Sequence, residues 1–103
     1  MKIVEGKIND STLSITIHAS RLDAATASPF KSECEALWQP SITGVTADLS
    51  SVEFIDSSGV GALLNLYRRL PPANPSVKLH NVRPGVQAVI ELLRLHRIFE
   101  LEA

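Results

Sequence analysis

Residues 54–61 read FIDSSGVG, setting two adjacent hydroxyls, Ser57 and Ser58, between an acid and a pair of glycines. A serine so placed has three uses: it caps a helix, attacks as a nucleophile, or accepts a group that another protein transfers to it. The nucleophile reading fails on spacing. A nucleophile elbow carries glycine two residues before and two after its serine, and here Ile55 and Asp56 stand in the preceding positions. A phosphate-binding P-loop needs a lysine and a wider glycine spacing, both absent. Nothing else along the chain supplies an evident base. His18, His80 and His96 share no metal-ligand spacing and fall on separate elements, so they read as surface or locally satisfied histidines. Cys34, in SECEALW, has apolar neighbours at helical spacing and no evident cation to lower its pKa, the pattern of a small buried thiol. With no HExxH, CxxC or clustered carboxylates, no enzyme chemistry, metal or cofactor is expected.

The helix cap explains only part of the motif. An N-cap at Asp56 or Ser57 satisfies an orphan N–H of the first turn, worth about 1 kcal/mol. Gly59 and Gly61, however, each cost a helix roughly 1 kcal/mol relative to alanine. Glycines in such places suit a backbone that a partner or a neighbouring strand approaches closely. Phe54 and Val60 are each either core residues or partner contacts.

The surrounding pattern supplies the elements that hold this junction. Lys2 to Ile8 and Thr12 to His18 read as two strands joined at NDS. In the second, Leu13, Ile15 and Ile17 alternate with Ser14, Thr16 and His18, the period of a strand with one buried face. DAATASPFKSECEALW then takes a helical period, with Thr26 as the expected N-cap, Pro29 in the first turn, and Phe30, Cys34 and Leu37 on one face. Val45 to Ile55 is apolar-rich, broken at DLSSVE. From Val60, the series Val60, Leu63, Leu64 and Tyr67 marks a second helix, with Arg68 and Arg69 near its negative end and Pro71 beyond it. PPANP is a stiff turn. Val77 to Asn81 forms a strand, Val86, Val89, Ile90 and Leu93 a third helix behind Pro84 and Gly85, and Ile98 to Leu101 a last short strand. This order predicts an α/β fold: a mixed sheet of about four to five strands covered by helices, in one domain over residues 1–103.

Composition narrows the function classes. With 45% hydrophobic and 20% charged residues, a formal charge of -1 and few aromatics, the chain resembles ordinary globular proteins and carries no basic stripe for nucleic acid. A lone cysteine cannot form an internal bridge, so nothing argues for an oxidising compartment. MKIVEGKIND lacks the apolar run of a signal peptide, and no window approaches the roughly 20 apolar residues of a membrane span. The expectation is a cytoplasmic protein with neither membrane insertion nor direct nucleic-acid contact.

The run DLSSVEFIDSSGVGALLNLYRRL resembles the signature of the STAS domain in bacterial anti-anti-sigma factors, where a strand leads into D-S-[ST]-G-[LV]-G and an amphipathic helix. LDAATASPFKSECEAL resembles the family's L-D-x-x-T-A segment and its helix, and LHNVRPGVQAVIELLRLHRIFEL its C-terminal strand, helix and last strand. The resemblance implies an anti-sigma factor antagonist controlled by partner switching. Unphosphorylated, such a protein binds an anti-sigma factor that is itself a GHKL-type serine kinase. Phosphorylation, here at Ser57, ends the binding, and a PP2C-type phosphatase restores it. Asp23 and Asp56 match acidic positions flanking the acceptor, and Ser58 and Gly59 complete the implied partner surface. The other role the resemblance allows is a stand-alone STAS subunit of another machine, a secretion regulator or a lipid or ABC transport system. In HASRLD, Ser20 and Arg21 replace the usual glycine and acid, which brings a cation toward the site.

Overall fold

In a computed structural model, which describes residues 2–102, a five-stranded sheet carries helices on one face. Strands β1 (Val4–Asn9) and β2 (Thr12–Ile17) form an antiparallel hairpin whose turn places Asp10 in the left-handed region at φ 57°, which a short polar side chain tolerates. Then come β3 (Arg21–Leu22), helix α1 (Ala24–Leu37), β4 (Gly44–Asp48), β5 (Phe54–Ile55), α2 (Ser57–Arg69), β6 (Ser76–His80), α3 (Pro84–Leu92), a 3-10 turn (Leu95–Arg97) and β7 (Phe99–Glu102).

The main sheet runs in the order β1-β2-β4-β6-β7, and β2, β4, β6 and β7 are parallel. Parallel neighbours need crossovers, which the helices provide. On one face Leu13, Ile15, Ile17, Val45, Ala47, Val77, Leu79 and Phe99 are buried against Phe30, Leu63, Leu66 and Ile90 of the helices. The opposite face is polar and open, and across it Thr46 Oγ1 donates to Ser14 Oγ at 3.0 Å. Alternation in β2 therefore reads correctly, and the expected mixed sheet is present.

Several boundaries differ from the sequence reading. Helix α1 is capped by Asp23 rather than Thr26; Thr26 occupies the third helical position and caps in reverse, its Oγ1 accepting from Asp23 N at 2.9 Å. Pro29 consequently lies in the second turn, where it removes a hydrogen bond to Ala25 O, on an exposed part of the helix. The buried stripe of α2 is Val60, Ala62, Leu63 and Leu66, with Leu64 and Tyr67 half-buried at its margins. Leu93 leaves the core altogether, because α3 ends before it and Arg94 turns left-handed at φ 60°. The largest difference is β3, absent from the sequence reading, which pairs with β5 in a separate two-stranded ribbon.

The remaining reactive side chains stand as expected. Cys34 is 1% exposed, and burial pushes its thiol up to about 12. His18 contacts Glu5, His80 lies 3.6 Å from Glu102, and His96 is exposed.

Candidate functional site

The site is built on the β3–β5 ribbon. Two residues from each strand pair in parallel, Arg21 with Phe54 and Leu22 with Ile55. Leu22 and Ile55 are buried, which turns Arg21 and Phe54 outward. Ser20 O accepts from Glu53 N and Phe54 N at 2.7 and 3.2 Å, and Leu22 O accepts from Asp56 N at 3.3 Å. Each strand then runs directly into a helix. The next outward residues in register are thus Asp23 and Asp56, the N-caps of α1 and α2.

Both caps bind N–H groups of their own helices. Asp56 Oδ1 accepts from Ser58 N at 2.9 Å and Gly59 N at 3.1 Å. Asp23 Oδ1 accepts from Ala25 N at 3.1 Å, while Thr26 Oγ1 donates to Arg21 O at 2.9 Å and ties the first turn of α1 back to β3. Arg21 Nε donates to Asp23 Oδ2 at 3.1 Å, and this bond, helped by the cap N–H groups, holds the Asp23 carboxyl below its ordinary value. The guanidinium carbon also lies 4.1 Å from the centre of the Phe54 ring, a cation–π stack on a phenylalanine that is 40% exposed.

Ser57 is the first residue of α2 and Ser58 the second; both are exposed, and neither hydroxyl makes a hydrogen bond among the described residues. The two glycines have different explanations. A Cβ on Gly59 would stand 2.0 Å from Leu22 O and 2.8 Å from Ile55 Cγ1, so the neighbouring strand is what approaches it. A Cβ on Gly61 would meet nothing within 4 Å. Gly59 is buried beneath the serines, whereas Asp23, Asp56, Ser57 and Ser58 meet at one junction open to solvent. Of the two apolar residues left open by the sequence, Val60 is core and Phe54 is surface. From the far side, Arg83, which precedes α3, donates from Nε to Ser50 O at 2.7 Å and helps hold the loop leading into β5.

Comparison with known proteins decides the family. The STAS domain model matches residues 4–103. The chain belongs to the STAS domain family. Among solved structures, an anti-sigma-factor antagonist (STAS) domain protein from Planctomyces limnophilus superposes with TM-score 0.85 at 20% identity, covering 98% of this chain and 89% of that one. The Bacillus cell fate determinant SpoIIAA in its phosphorylated form gives TM-score 0.69 at 23% identity over 97% of this chain and 90% of its own. The unphosphorylated form of SpoIIAA, an anti-sigma factor antagonist, also matches. The murine anion transporter Slc26a9 gives TM-score 0.70 at 19% identity, covering 88% of this chain but 15% of the transporter.

Within this STAS domain, two parts of the junction escaped the sequence reading. One is the Arg21–Phe54 pair, whose signal was the apolar Leu22 set between Arg21 and Asp23. The other is that Asp56, one of the two expected caps, takes both Ser58 N and Gly59 N on a single oxygen.

Proposed function

We propose that this STAS domain is a phosphorylation-controlled anti-sigma factor antagonist, with Ser57 as the acceptor. The observation that carries the reading is the state of Ser57: an exposed, unbonded hydroxyl at the first position of a helix whose start is fixed by the Asp56 cap and by Gly59 packing on β3. A kinase can reach that oxygen without unfolding anything. The likeness to SpoIIAA, solved both phosphorylated and unphosphorylated, supports the same reading.

In this scheme the chain is substrate and ligand, and catalysis belongs to its partners. The unmodified surface formed by Asp23, Asp56, Ser57 and Ser58, with Gly59 keeping α2 close to β3, binds an anti-sigma factor that is also a GHKL-type serine kinase. The kinase, with its own ATP and metal, transfers the γ-phosphoryl group to Ser57 Oγ; the hydroxyl proton leaves and ADP departs. A PP2C-type phosphatase adds water, returning the hydroxyl and releasing inorganic phosphate. The phosphate brings about -1.5 to -2 charges beside the two aspartates. Bulk and like-charge repulsion at the interface then cost several kcal/mol, and 1.4 kcal/mol is tenfold in affinity, enough for a switch.

Incubation with ATP and a GHKL-type serine kinase from the same genome tests this directly: a single phosphate should appear at Ser57 and none on Ser57→Ala. Ser57→Asp should keep the wild-type circular dichroism spectrum and lose the partner in a pull-down; a variant that unfolds instead refutes the interface account. The likeness to the anion transporter favours a second reading, a STAS subunit of a transport system. Absence of phosphate incorporation selects it.

A further inference from the structure

A phosphate on Ser57 enters a junction where two of the helix's first-turn N–H groups are already taken. Ser58 N and Gly59 N both donate to Asp56 Oδ1, at 2.9 and 3.1 Å, and two carboxylates, Asp23 and Asp56, stand beside the serine. The dipole of α2 still favours an anion there, but two of its first-turn donors, Ser58 N and Gly59 N, are turned to Asp56. The charged groups around the junction are Arg21 and Asp23 from β3 and the start of α1, Glu53 and Asp56 flanking β5, and Arg83 ahead of α3. Arg83 bonds through Nε to Ser50 O at 2.7 Å and lies ahead of α3, off the ribbon. Arg21 is the cation on the ribbon itself. Its side chain is 59% exposed, it uses only Nε on Asp23, and its terminal nitrogens donate to nothing among the described residues.

Register sets that cation on the ribbon whose end Ser57 follows. Arg21 lies opposite Phe54 and its guanidinium rests over the Phe54 ring, reaching Asp23 Oδ2 at the end of the ribbon where α1 and α2 begin. Ser57 begins α2 immediately after the Asp56 cap, and Asp56 N bonds Leu22 O, the residue next to Arg21. An arginine side chain anchored there is long enough to turn toward the end of the ribbon, and its planar fork matches a phosphate better than it matches a carboxylate shared through one nitrogen.

We propose that Arg21 is the charge partner of a phosphate on Ser57, and that engaging it draws the guanidinium off the Phe54 ring. Phosphorylation then does more than add charge. It rearranges the outward face of the ribbon, uncovering the aromatic ring and weakening the Arg21 hold on Asp23. In the unmodified protein the same arginine covers Phe54 and presents a cation to the partner. One residue thereby distinguishes the two states of the surface.

This inference rests on Ser57 being the modified serine, but its test does not depend on any kinase. Phosphoserine installed at position 57 by an expanded genetic code gives the modified protein directly, in wild-type, Arg21→Gln and Arg21→Lys backgrounds. The phosphorus resonance, titrated at low ionic strength, reads the second phosphate ionisation, ordinarily near 6. It should fall roughly half a unit lower in wild type than in Arg21→Gln, with Arg21→Lys between them, since an exposed cation acts through partly screened contact. The Phe54 ring protons should shift between the serine and phosphoserine forms of wild type but not of Arg21→Gln. Equal phosphate ionisation in wild type and Arg21→Gln, or an unmoved Phe54 signal in wild type, overturns the proposal. A protein that no kinase labels, yet whose installed phosphate behaves as expected, would place the failure in the switching scheme and leave the Arg21 assignment standing.

Discussion

Replacing Gly59 by alanine sets a methyl carbon 2.0 Å from Leu22 O and 2.8 Å from Ile55 Cγ1, where ordinary contacts begin near 3.4 Å. The obstacle is a backbone carbonyl, so no rotamer relieves it; α2 and β3 must part by more than an ångström. Overpacking of this kind costs about 1–3 kcal/mol. The separation also strains the Asp56 N to Leu22 O bond, 3.3 Å long, whose loss adds about 1 kcal/mol. Alanine returns about 1 kcal/mol of helix propensity. The balance is a destabilisation of about 1–3 kcal/mol, which in a domain of this size lowers the melting temperature by roughly 4–24 °C. Gly61→Ala, two residues on, meets open space and keeps only the propensity gain, so it should stabilise by up to about 1 kcal/mol. Urea titrations at pH 7 followed by far-ultraviolet circular dichroism measure both, with the slopes compared to ensure that midpoints report stability. A Gly59→Ala variant within about half a kcal/mol of wild type, the range of an ordinary surface change, or a Gly61→Ala variant less stable than Gly59→Ala, would refute close packing on Leu22 O as the role of Gly59.

Two further measurements probe other parts of the structure. Asp48 Oδ1 accepts from Ser50 N at 2.8 Å and Asn81 Nδ2 at 3.4 Å, and the Ser50 bond chiefly holds its carboxyl below the ordinary 3.8. A depressed folded pKa gives stability that is present above the unfolded value and lost as pH falls through the folded one. Asp48→Asn keeps an acceptor oxygen but does not titrate, so urea midpoints should move in favour of the variant as pH drops below about 4; a pH-independent difference would contradict that assignment. Cys34, with its thiol raised to about 12 by burial, should resist iodoacetamide in the native protein at pH 8 and react fully in urea. Equal labelling rates in the two conditions would show that the site is open.

The sequence was most legible where one period dominated. Alternation in Thr12–Ile17 and the helical series from Val60 lead directly to β2 and α2, because each buries a single continuous face. It was least legible where an element is too short to have a period. Arg21–Leu22 contains one apolar residue, and only the pairing with Phe54–Ile55, across the whole of α1 and β4, makes it a strand. The same shortness moved the cap of α1: Thr26 is a good N-cap by type, but Asp23 takes that place because β3 delivers the chain to the helix three residues earlier. For the candidate site, Asp56, Ser57 and Ser58 were readable from their order at a helix start. The differing roles of Gly59 and Gly61 were not, since what separates them is the position of Leu22 O.

The two strands of the ribbon come from distant parts of the chain, and their pairing carries a consequence for timing. Until α1 and β4 have docked, Arg21–Leu22 and Phe54–Ile55 have no reason to meet, because closing that long loop is rewarded only by contacts the finished domain supplies. A nascent or partly unfolded chain therefore holds Ser57 in its sequence without the surface around it. Any protein that recognises the junction, rather than the peptide, would engage only molecules that have completed folding.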